Sequence, residues 1–530
     1  MKFKEFLKNL FASIKDGVSR FFMAFICSSL FFLTLTFVII FETNKDSVFV
    51  PLCMTYCLIG VLSVLLKTTE EYICEKIDRS IQYTVCIIMS LLAFYLIKSN
   101  YESLYTLMAY VGIIIALLCF IFFVIMRGEN RDASFPKIVS SFVFATAICI
   151  VLSTGLSTCI AAFQFLIYSW DNFYKIYLVV NLFVWSVGFV NIFLALVPKK
   201  DIPIAQQKIF RTLVLFITLP LYILLITILL IYLAKIVITR NMPVGEINWF
   251  ASFASLFFIF IVMSVMQYTE KLARIFVKYG GYFLIPVLIM QSIAVFERIA
   301  AYGLTTPRTI SLVLIVISIL FIIGTMVIPK HLNKIALTSG VIALIVTITP
   351  FNVIDMPISS QTKILRTTLE ANGMLNNGVV IPNENVSKDD AERIISAFEY
   401  LKYDADNVPD FIQNSDDSPK EIFGFSNSYE SEYIYCSYKT KDSVDISAYT
   451  KMISVYENNN YLVAEYNNES YEVDLKQIAK DLYALYGANN SNLEIYTIDE
   501  NTGLYFDHIN FEIDNDEVMH CYFNGFILFK

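Results

Sequence analysis

Long uncharged apolar stretches recur along the chain and stop near Asn352. A lipid bilayer cannot hydrogen-bond a peptide group, so a crossing chain closes its backbone bonds within a helix of roughly twenty apolar residues. The pattern predicts about eleven such helices, a polytopic α-helical membrane bundle. The predicted spans are Phe21–Phe41, Val48–Leu66, Ile81–Ile97, Leu104–Met126, Val139–Ala162, Ile176–Val197, Leu213–Ile236, Ile247–Met266, Tyr282–Val295, Ile310–Ile328 and Ile335–Ile348.

Beyond Asn352 the apolar positions are those of a water-soluble domain. Two runs with helical spacing come first, one ended by Gly373 and one begun by Ser387. A stretch rich in Asp, Asn, Ser and Pro then predicts a loop from Asp404 to Asn427. Alternating apolar positions with Asn-rich turns predict strands at Tyr433–Tyr438, Met452–Tyr456, Tyr461–Tyr466, Tyr471–Val473, Leu493–Ile498, Tyr505–Ile513 and Val518–Phe529. A helix ending at Gly487 lies among them, so the tail is predicted to be a C-terminal soluble α+β domain.

The predicted domains are therefore residues 1–20, 21–352 and 353–530. In the first segment, apolar residues such as Phe3, Phe6 and Leu10 recur at helical spacing among lysines. This pattern is typical of an amphipathic helix on the anionic inner leaflet, and also of a charged flank that orients the first span.

Lysine and arginine near the ends of spans predict the orientation, since these residues are retained in the cytoplasm. With the N-terminus inside, a predicted inner loop carries Arg127, Arg131 and Lys137, whereas the outer loops on either side carry only Lys98 and Lys175. The other inner loops are likewise richer in lysine and arginine than the outer loops. This bias predicts a cytoplasmic N-terminus, and the odd number of spans then predicts an extracytoplasmic C-terminal domain.

Charge narrows the possible partners. The chain has a net charge of −8, and the tail from Asp355 holds about thirty acidic residues against roughly a dozen basic ones. Such a domain is repelled by nucleic acid. The expected partners are the lipid bilayer and, at the outer domain, an envelope protein or a small ligand.

Motifs for chemistry are absent from the sequence. No phosphate-binding loop, HExxH or GxSxG motif occurs, the cysteines and three histidines show no metal-ligand spacing, and no cofactor is expected. The two cysteines of the tail, Cys436 and Cys521, are either a disulfide pair or separate thiols. Whether any reaction is catalysed stays open, and a role without catalysis is favoured.

Charges near the ends of the later spans are the best candidates for a site, because ionisable groups in hydrocarbon tend to face a bundle interior or a cavity. These candidates are Lys235, Glu246, Glu297, Arg298 and Arg308. Pro220 and Pro286 interrupt two neighbouring spans, and broken helices can expose backbone groups to a buried site. The alternative is that the charges lie at the interface and the prolines only kink their helices.

The run LPLYILLITILLIYLAKIVITRNMPVGEINW at Leu219–Trp249 and the string AYGLTTPR at Ala301–Arg308 resemble the bacterial multi-pass membrane family known as domain of unknown function 4153. The specific likeness runs from near Arg211 to the Tyr400-Leu401 pair, and the earlier spans are similar in hydropathy only. The matching positions are Pro220, Tyr222, Tyr232, Lys235, Pro243, Gly245, Trp249, Pro286, Arg298, Tyr302, Gly303, Leu304, Thr305 and Arg308. Thr306 and Thr309 depart from the pattern, which has an acid and a tyrosine there. The resemblance adds Tyr232 and Tyr302 to the candidate site and implies a bacterial cell membrane, but no activity.

Three functions remain open from the sequence. The first is a structural, sensory or assembly role in the bacterial cell envelope through the outer domain. The second is a transporter or lipid exporter with an outer-facing polar site. The third is a membrane-embedded transferase on a lipid-linked substrate, with Glu42 and Asp46 as candidate acids.

Overall fold

The computed structural model describes residues 12–42, 48–74, 78–128, 131–167, 172–200, 204, 208–239, 246–376, 378–404, 407–412, 417–425, 434–441, 444–458, 461–466, 469–487, 489–514 and 517–530. Contacts divide the chain into two compact units. The first consists of Met1–Thr367 and Ser396–Pro409, and the second of Thr368–Ile395 and Asp410–Lys530. The boundary at residues 352 and 353 that composition predicts stays a prediction.

The first unit is a bundle of long apolar helices, as predicted. Ten helices of the described residues are long and apolar enough to cross a membrane, and an eleventh is shorter. They are α1 (Phe22–Phe41), α2 (Phe49–Tyr72), α3 (Arg79–Ser99), α4 (Leu104–Ile125), α5 (Arg131–Leu166), α6 (Phe173–Ala195), α7 (Lys208–Thr239), α8 (Glu246–Val265), α9 (Lys271–Tyr302), α10 (Thr306–Val327) and α11 (Asn333–Ile348).

Several of these helices extend well beyond the predicted spans. Helix α9 has 32 residues, whereas the sequence predicts only Tyr282–Val295 there. Hydropathy marks the part of a helix that lies in hydrocarbon, and the charged turns at Lys271 and Arg298 continue the same helix beyond it. Pro286 lies inside α9, and π-turns interrupt α6 at Val184–Gly188 and α7 at Val214–Thr218.

Helix α11, the eleventh predicted span, is the short one. Its 16 residues rise about 24 Å at 1.5 Å per residue, which is less than the roughly 30 Å of a hydrocarbon core. It packs closely along α4 through glycines: a methyl group at Gly112 would overlap the side chain of Thr347, and one at Gly340 would overlap Phe120. Small residues allow such close approach between membrane helices.

The helical segment at residues 12–20 is joined to the bundle by Arg20. Its guanidinium donates to the Glu71 carboxylate at 2.6 Å and to the backbone carbonyls of Val197 and Pro198 at 2.8 and 2.9 Å. The Arg20 side chain is only 6% exposed, so the contact holds 12–20 against the ends of α2 and α6. Phe3, Phe6 and Leu10 lie outside the described residues, and the interfacial helix stays a prediction.

Between the bundle and the sheets the chain forms short elements: α12 (Asp355–Ala371), β1 (Leu375–Asn376), β2 (Val379–Val380), α13 (Lys388–Glu399) with a π-turn at Tyr400–Asp404, and α14 (Pro419–Phe423). Helix α13 begins after Ser387 as predicted, since the Ser387 hydroxyl accepts from the Asp390 amide at 3.2 Å. Helix α14 lies in the predicted loop, where Ser418 and Glu421 form a capping box.

The second unit contains the strands β3 (Ile434–Thr440), β4 (Lys451–Ser454), β5 (Tyr456–Asn458), β6 (Tyr461–Tyr466), β7 (Glu469–Asp474), β8 (Asn489–Leu493), β9 (Tyr496–Thr497), β10 (Thr502–Asp514) and β11 (Glu517–Phe529), with helix α15 (Leu475–Tyr486). Among the described residues, one sheet has the order β4-β11-β10-β3-β8, with β9 beside β10, a second has the order β5-β6-β7, and β1 pairs with β2. The core includes Phe506, Phe511 and Ile527 of the first sheet and Leu482 of α15. The α+β tail is therefore confirmed.

Cys436 and Cys521 are separate buried thiols. Cys436 of β3 and Cys521 of β11 both pair with Phe511 of β10, one from each side. Adjacent strands lie about 4.8 Å apart, so two strands flanking a third are about 10 Å apart. A disulfide needs Cα atoms within about 7 Å, and the sheet therefore excludes this pair.

Candidate functional site

The connection between α9 and α10 carries the AYGLTTPR string, and hydrogen bonds from several side chains hold it in place. Helix α9 ends at Tyr302, and Gly303 follows with φ +72°, a conformation that favours glycine. The Gly303 amide still donates to Ile299 at 2.8 Å. Helix α10 then starts at Thr306 with a proline in its first turn, where the missing N–H costs nothing.

Arg308 folds back over this turn. Its Nη1 donates to the carbonyl of Gly303 at 2.6 Å and to that of Tyr302 at 3.3 Å. The guanidinium carbon lies 6.0 Å from the centroid of the Tyr302 ring. Arg308 thus satisfies carbonyls at the C-terminus of α9, where positive charge is also favoured by the helix dipole.

Arg298 lies one turn before Tyr302 on α9 and interacts electrostatically with Arg308. In the described part of the chain, no hydrogen bond or ion pair of the Arg298 side chain is present. Arg298, Tyr302 and Arg308 are therefore brought together, as two cations and an aromatic ring, and the carboxylate of Glu297 next to them is exposed.

The first residues after the bundle hold this turn from the other side. Ser360 accepts from the Leu304 amide at 3.0 Å. The Gln361 amide nitrogen donates to the carbonyl of Tyr302 at 2.8 Å and to that of Leu304 at 2.7 Å, and Gln361 is only 2% exposed. Two adjacent side chains of α12 thus complete the hydrogen bonds of the α9–α10 connection.

Thr306, which departs from the family pattern, takes part in the same arrangement. Its hydroxyl donates to the Val353 carbonyl at 2.9 Å and lies 2.8 Å from the Tyr400 hydroxyl, which also accepts from the Thr306 amide at 3.2 Å. Tyr400 of the Tyr400-Leu401 pair therefore accepts a hydrogen bond from the first backbone amide of α10. An acid is not required here for the turn to be hydrogen-bonded.

Sequence reasoning missed a polar network deeper in the bundle. The Gln291 amide nitrogen of α9 donates to Asn248 Oδ1 at 2.9 Å and to Ser252 Oγ at 2.8 Å, both on α8. Asn248 in turn donates to Ser311 Oγ of α10 at 2.9 Å. Gln291 is 1% exposed, and its carbonyl oxygen has no hydrogen-bond partner within the described ranges. The sequence does carry a signal for this network, namely the amide side chain of Gln291 in the middle of an apolar span. A buried amide is costly in hydrocarbon unless it is hydrogen-bonded.

Two of the remaining predicted site residues, Tyr232 and Lys235, make no described contact with this turn. Tyr232 is half-buried and Lys235 is exposed, both on α7. Among the residues that the structure describes, neither side chain makes a hydrogen bond or an ion pair. Helix α8 begins at Glu246, but the Glu246 side chain is outside the description. Their place in a shared site stays a prediction.

Glu42, a candidate acid of the transferase hypothesis, is engaged in a surface ion pair. Its carboxylate lies 2.8 Å from the Lys175 ammonium and 3.3 Å from the Tyr174 hydroxyl. The hydrogen bond from Lys175 lowers the pKa of Glu42, so the carboxylate is ionised at neutral pH. Asp46 lies outside the described residues. No three metal-ligating side chains converge in the described ranges.

Comparison with known proteins agrees with the resemblance seen in the sequence. The family model described as Domain of unknown function (DUF4153) matches residues 22–376. The match includes the early spans, so it starts well before Arg211, and it ends before Tyr400. No curated protein and no solved structure matches the chain. Because the family model matches more than half of the chain, the protein belongs to this family of integral membrane proteins of unknown function.

Proposed function

We propose that the protein has a structural, sensory or assembly role in the bacterial cell envelope, in which its C-terminal domain binds an envelope protein or a small ligand. In this proposal the N-terminus is cytoplasmic and the C-terminal domain is extracytoplasmic. The bundle anchors that domain, and the chain that leaves the bundle is the route by which binding is transmitted.

The contacts of Gln361 with the α9–α10 connection carry the proposal. A passive tether between a membrane anchor and a soluble domain needs no buried hydrogen bonds, and linkers of that kind are polar and solvated. Here the buried side-chain amide of Gln361 on α12 donates to two carbonyls of the α9–α10 connection, and the Ser360 hydroxyl accepts from one of its amides. Such a junction fixes the departing chain to α9 and α10, which a transmitted signal or a rigid assembly requires.

Complementation of a deletion strain tests this role. The full chain is expected to restore the wild-type phenotype, a chain truncated after Thr367 is expected to fail, and Gln361→Leu is expected to complement poorly at normal membrane levels. Gln477→Leu is the matched control, since Gln477 is exposed on α15. Full complementation by the truncated chain would reject a role that depends on the C-terminal domain.

A transporter or lipid exporter is the second candidate, and the group of Arg298, Tyr302 and Arg308 favours it. Two cations close together are costly unless an anion neutralises them. The polar network around Gln291 lies on α8, α9 and α10 as well, so these three helices carry hydrogen-bonding groups suited to a polar path.

Arg298 is the informative position for this second candidate, because Arg308 is already needed by the turn. In proteoliposomes, uptake of an anionic substrate is expected to fall at least about tenfold in Arg298→Gln if the guanidinium binds it directly, as loss of one charged hydrogen bond implies. Arg366→Gln on α12 is a charge-matched control. Equal transport by both variants would reject the site.

A further inference from the structure

A cavity of about 420 Å³ lies at the opposite end of α9 from the α9–α10 connection, and its wall contains both apolar and polar side chains. It is bounded by the connection between α8 and α9, by the first turns of α9, and by the end of α10. Its polar lining consists of Tyr268, Arg274, Lys278, Tyr279, Tyr282 and Thr325. Volumes of several hundred Å³ are typical of sites for small ligands.

The charged groups of the lining are all positive. Arg274 and Lys278 lie one helical turn apart on α9, so both extend from the same face. Lys278 also lies 5.0 Å from the ring centroid of Tyr279. The nearest acid along the chain, Glu270, is not part of the lining and accepts from Arg211 at 2.9 Å. Among the described residues, the wall of the cavity therefore holds two cations and no carboxylate, and Glu270 lies outside the wall but close enough to act on Tyr268.

Tyr268 provides the second, independent observation. The residue is 4% exposed, and its buried hydroxyl has no hydrogen-bond partner among the residues that the structure describes. Arg211, Gln267 and Glu270 lie close enough to act on this hydroxyl, but among the described residues none of them meets hydrogen-bond geometry with it. Burial raises the pKa of Tyr268, so the group is a proton donor at neutral pH. An unused buried donor is destabilising, and a donor at a cationic cavity suits an anionic oxygen.

We propose that this cavity binds the phosphate group of an anionic phospholipid. Arg274 and Lys278 supply the positive charge, Tyr268 donates to a phosphate oxygen, and the rings of Tyr279 and Tyr282 contact the glycerol region. Basic pockets between membrane helices commonly take anionic headgroups in this way. The Tyr268 hydroxyl is covered by protein atoms, so binding includes a local movement of the wall, to which the exposed side chains of Arg274 and Lys278 contribute.

The position of the cavity favours a lipid over a soluble phosphate ester. It lies beside the first turns of a membrane-spanning helix, where headgroups are at high local concentration, and Tyr282 starts the apolar stretch of α9. Tyrosines at this depth are typical of the interface between headgroups and hydrocarbon. In the predicted topology this end of α9 faces the cytoplasm.

Native mass spectrometry of the full chain in detergent, titrated with phosphatidylglycerol or phosphatidylcholine, tests the proposal. We expect preferential binding of phosphatidylglycerol, with affinity about fivefold lower in Arg274→Gln and in Lys278→Gln, as about 1 kcal/mol per basic residue implies. Tyr268→Phe is expected to lose about tenfold. Lys334→Gln, an exposed lysine at the start of α11, is the charge-matched control and is expected to bind as the wild type does.

Tyr268→Phe separates binding from folding. The hydroxyl makes no hydrogen bond within the described part of the chain, so its removal is expected to leave thermal stability unchanged or higher. A stable Tyr268→Phe variant with undiminished phosphatidylglycerol binding would overturn the proposal. The same holds if Lys334→Gln weakens binding as much as the cavity variants do. Binding of glycerol phosphate in place of the lipid, with no preference for phosphatidylglycerol, would assign the cavity to a soluble phosphate and reject the lipid.

Discussion

Replacing Gln361 tests the junction between the bundle and the chain that leaves it. In Gln361→Leu the volume of the side chain is nearly kept, but the donors to the carbonyls of Tyr302 and Leu304 are lost. In Gln361→Glu the same donors are lost and a carboxylate faces both carbonyls. The two variants therefore separate the loss of hydrogen bonds from the burial of charge.

The structure gives the expected magnitudes. The carbonyl of Tyr302 still accepts from Arg308, so the main loss in Gln361→Leu is one unsatisfied carbonyl, at about 1–3 kcal/mol. Part of this is offset because the unpartnered carbonyl oxygen of Gln361 is removed as well. We expect a net loss of about 1 kcal/mol for Gln361→Leu, and at least about 3 kcal/mol for Gln361→Glu.

Thermal unfolding in detergent, followed by the reaction of buried thiols with a fluorescent dye, measures these losses. Cys86 and Cys149 are buried in the first unit and react only when it opens. The exposed thiols are blocked first, and the buried Cys436 and Cys521 of the second unit are replaced by alanine in every variant. The expected order of stability is wild type, then Gln361→Leu, then Gln361→Glu. If Gln361→Glu unfolds at the wild-type temperature, the amide is not buried against these carbonyls and the reasoning fails.

Three further predictions concern other parts of the chain. Gly112→Ala is expected to lower the free energy of unfolding by about 1–3 kcal/mol, because the added methyl group pushes α11 away from α4. Gly155→Ala is the control, since a methyl group there meets nothing within 4 Å. Equal melting temperatures of the two variants would contradict the close packing of α4 and α11. Arg20→Leu is expected to lose about 1–3 kcal/mol of unfolding free energy, because Glu71 loses the guanidinium but is 21% exposed and keeps the Lys67 ammonium at 3.8 Å. The double variant with Glu71→Leu should recover part of this loss in the same assay. Burial and a hydrogen bond to a carboxylate raise the pKa of Tyr496 to about 12. The protonated Tyr496 therefore contributes its full stabilisation below pH 10 and loses it between pH 10 and 12. The free energy of unfolding of Tyr496→Phe should accordingly depend less on pH in that range than that of the wild type.

Hydropathy predicted the helices of the bundle because span length is set by the bilayer and leaves a direct trace in composition. The alternation of apolar and polar residues predicted strands of the tail, where β6 has the predicted bounds Tyr461–Tyr466. Helix α14 was missed because a polar, proline-containing stretch hides a short helix. Its capping box at Ser418 and Glu421 was a local signal that could have revealed it.

The hydrogen bonds of the α9–α10 connection could not have been predicted in the same way. Gln361 lies 57 residues from Leu304, and Tyr400 lies 94 residues from Thr306. Such pairs depend on how helices pack, and one sequence carries no signal for that. The string AYGLTTPR indicated an unusual turn but not which residues meet it.

Polar residues in the spans divide into two groups that sequence alone does not distinguish. Many satisfy themselves within their own helix: the hydroxyl of Thr55 donates to Pro51 and that of Ser255 to Ala251, each four residues back. These groups need no partner from another helix. Gln291 differs because its hydrogen bonds cross from α9 to α8, and Gln361 differs because its bonds cross from α12 to the α9–α10 connection. Polarity inside a span therefore indicates a site only when the hydrogen bond leaves its own helix. By that criterion α8, α9 and α10 qualify, and so do α5 and α6, where Asn181 bonds with Ser153 and Ser157, and α2 and α3, where Gln82 donates to Glu70.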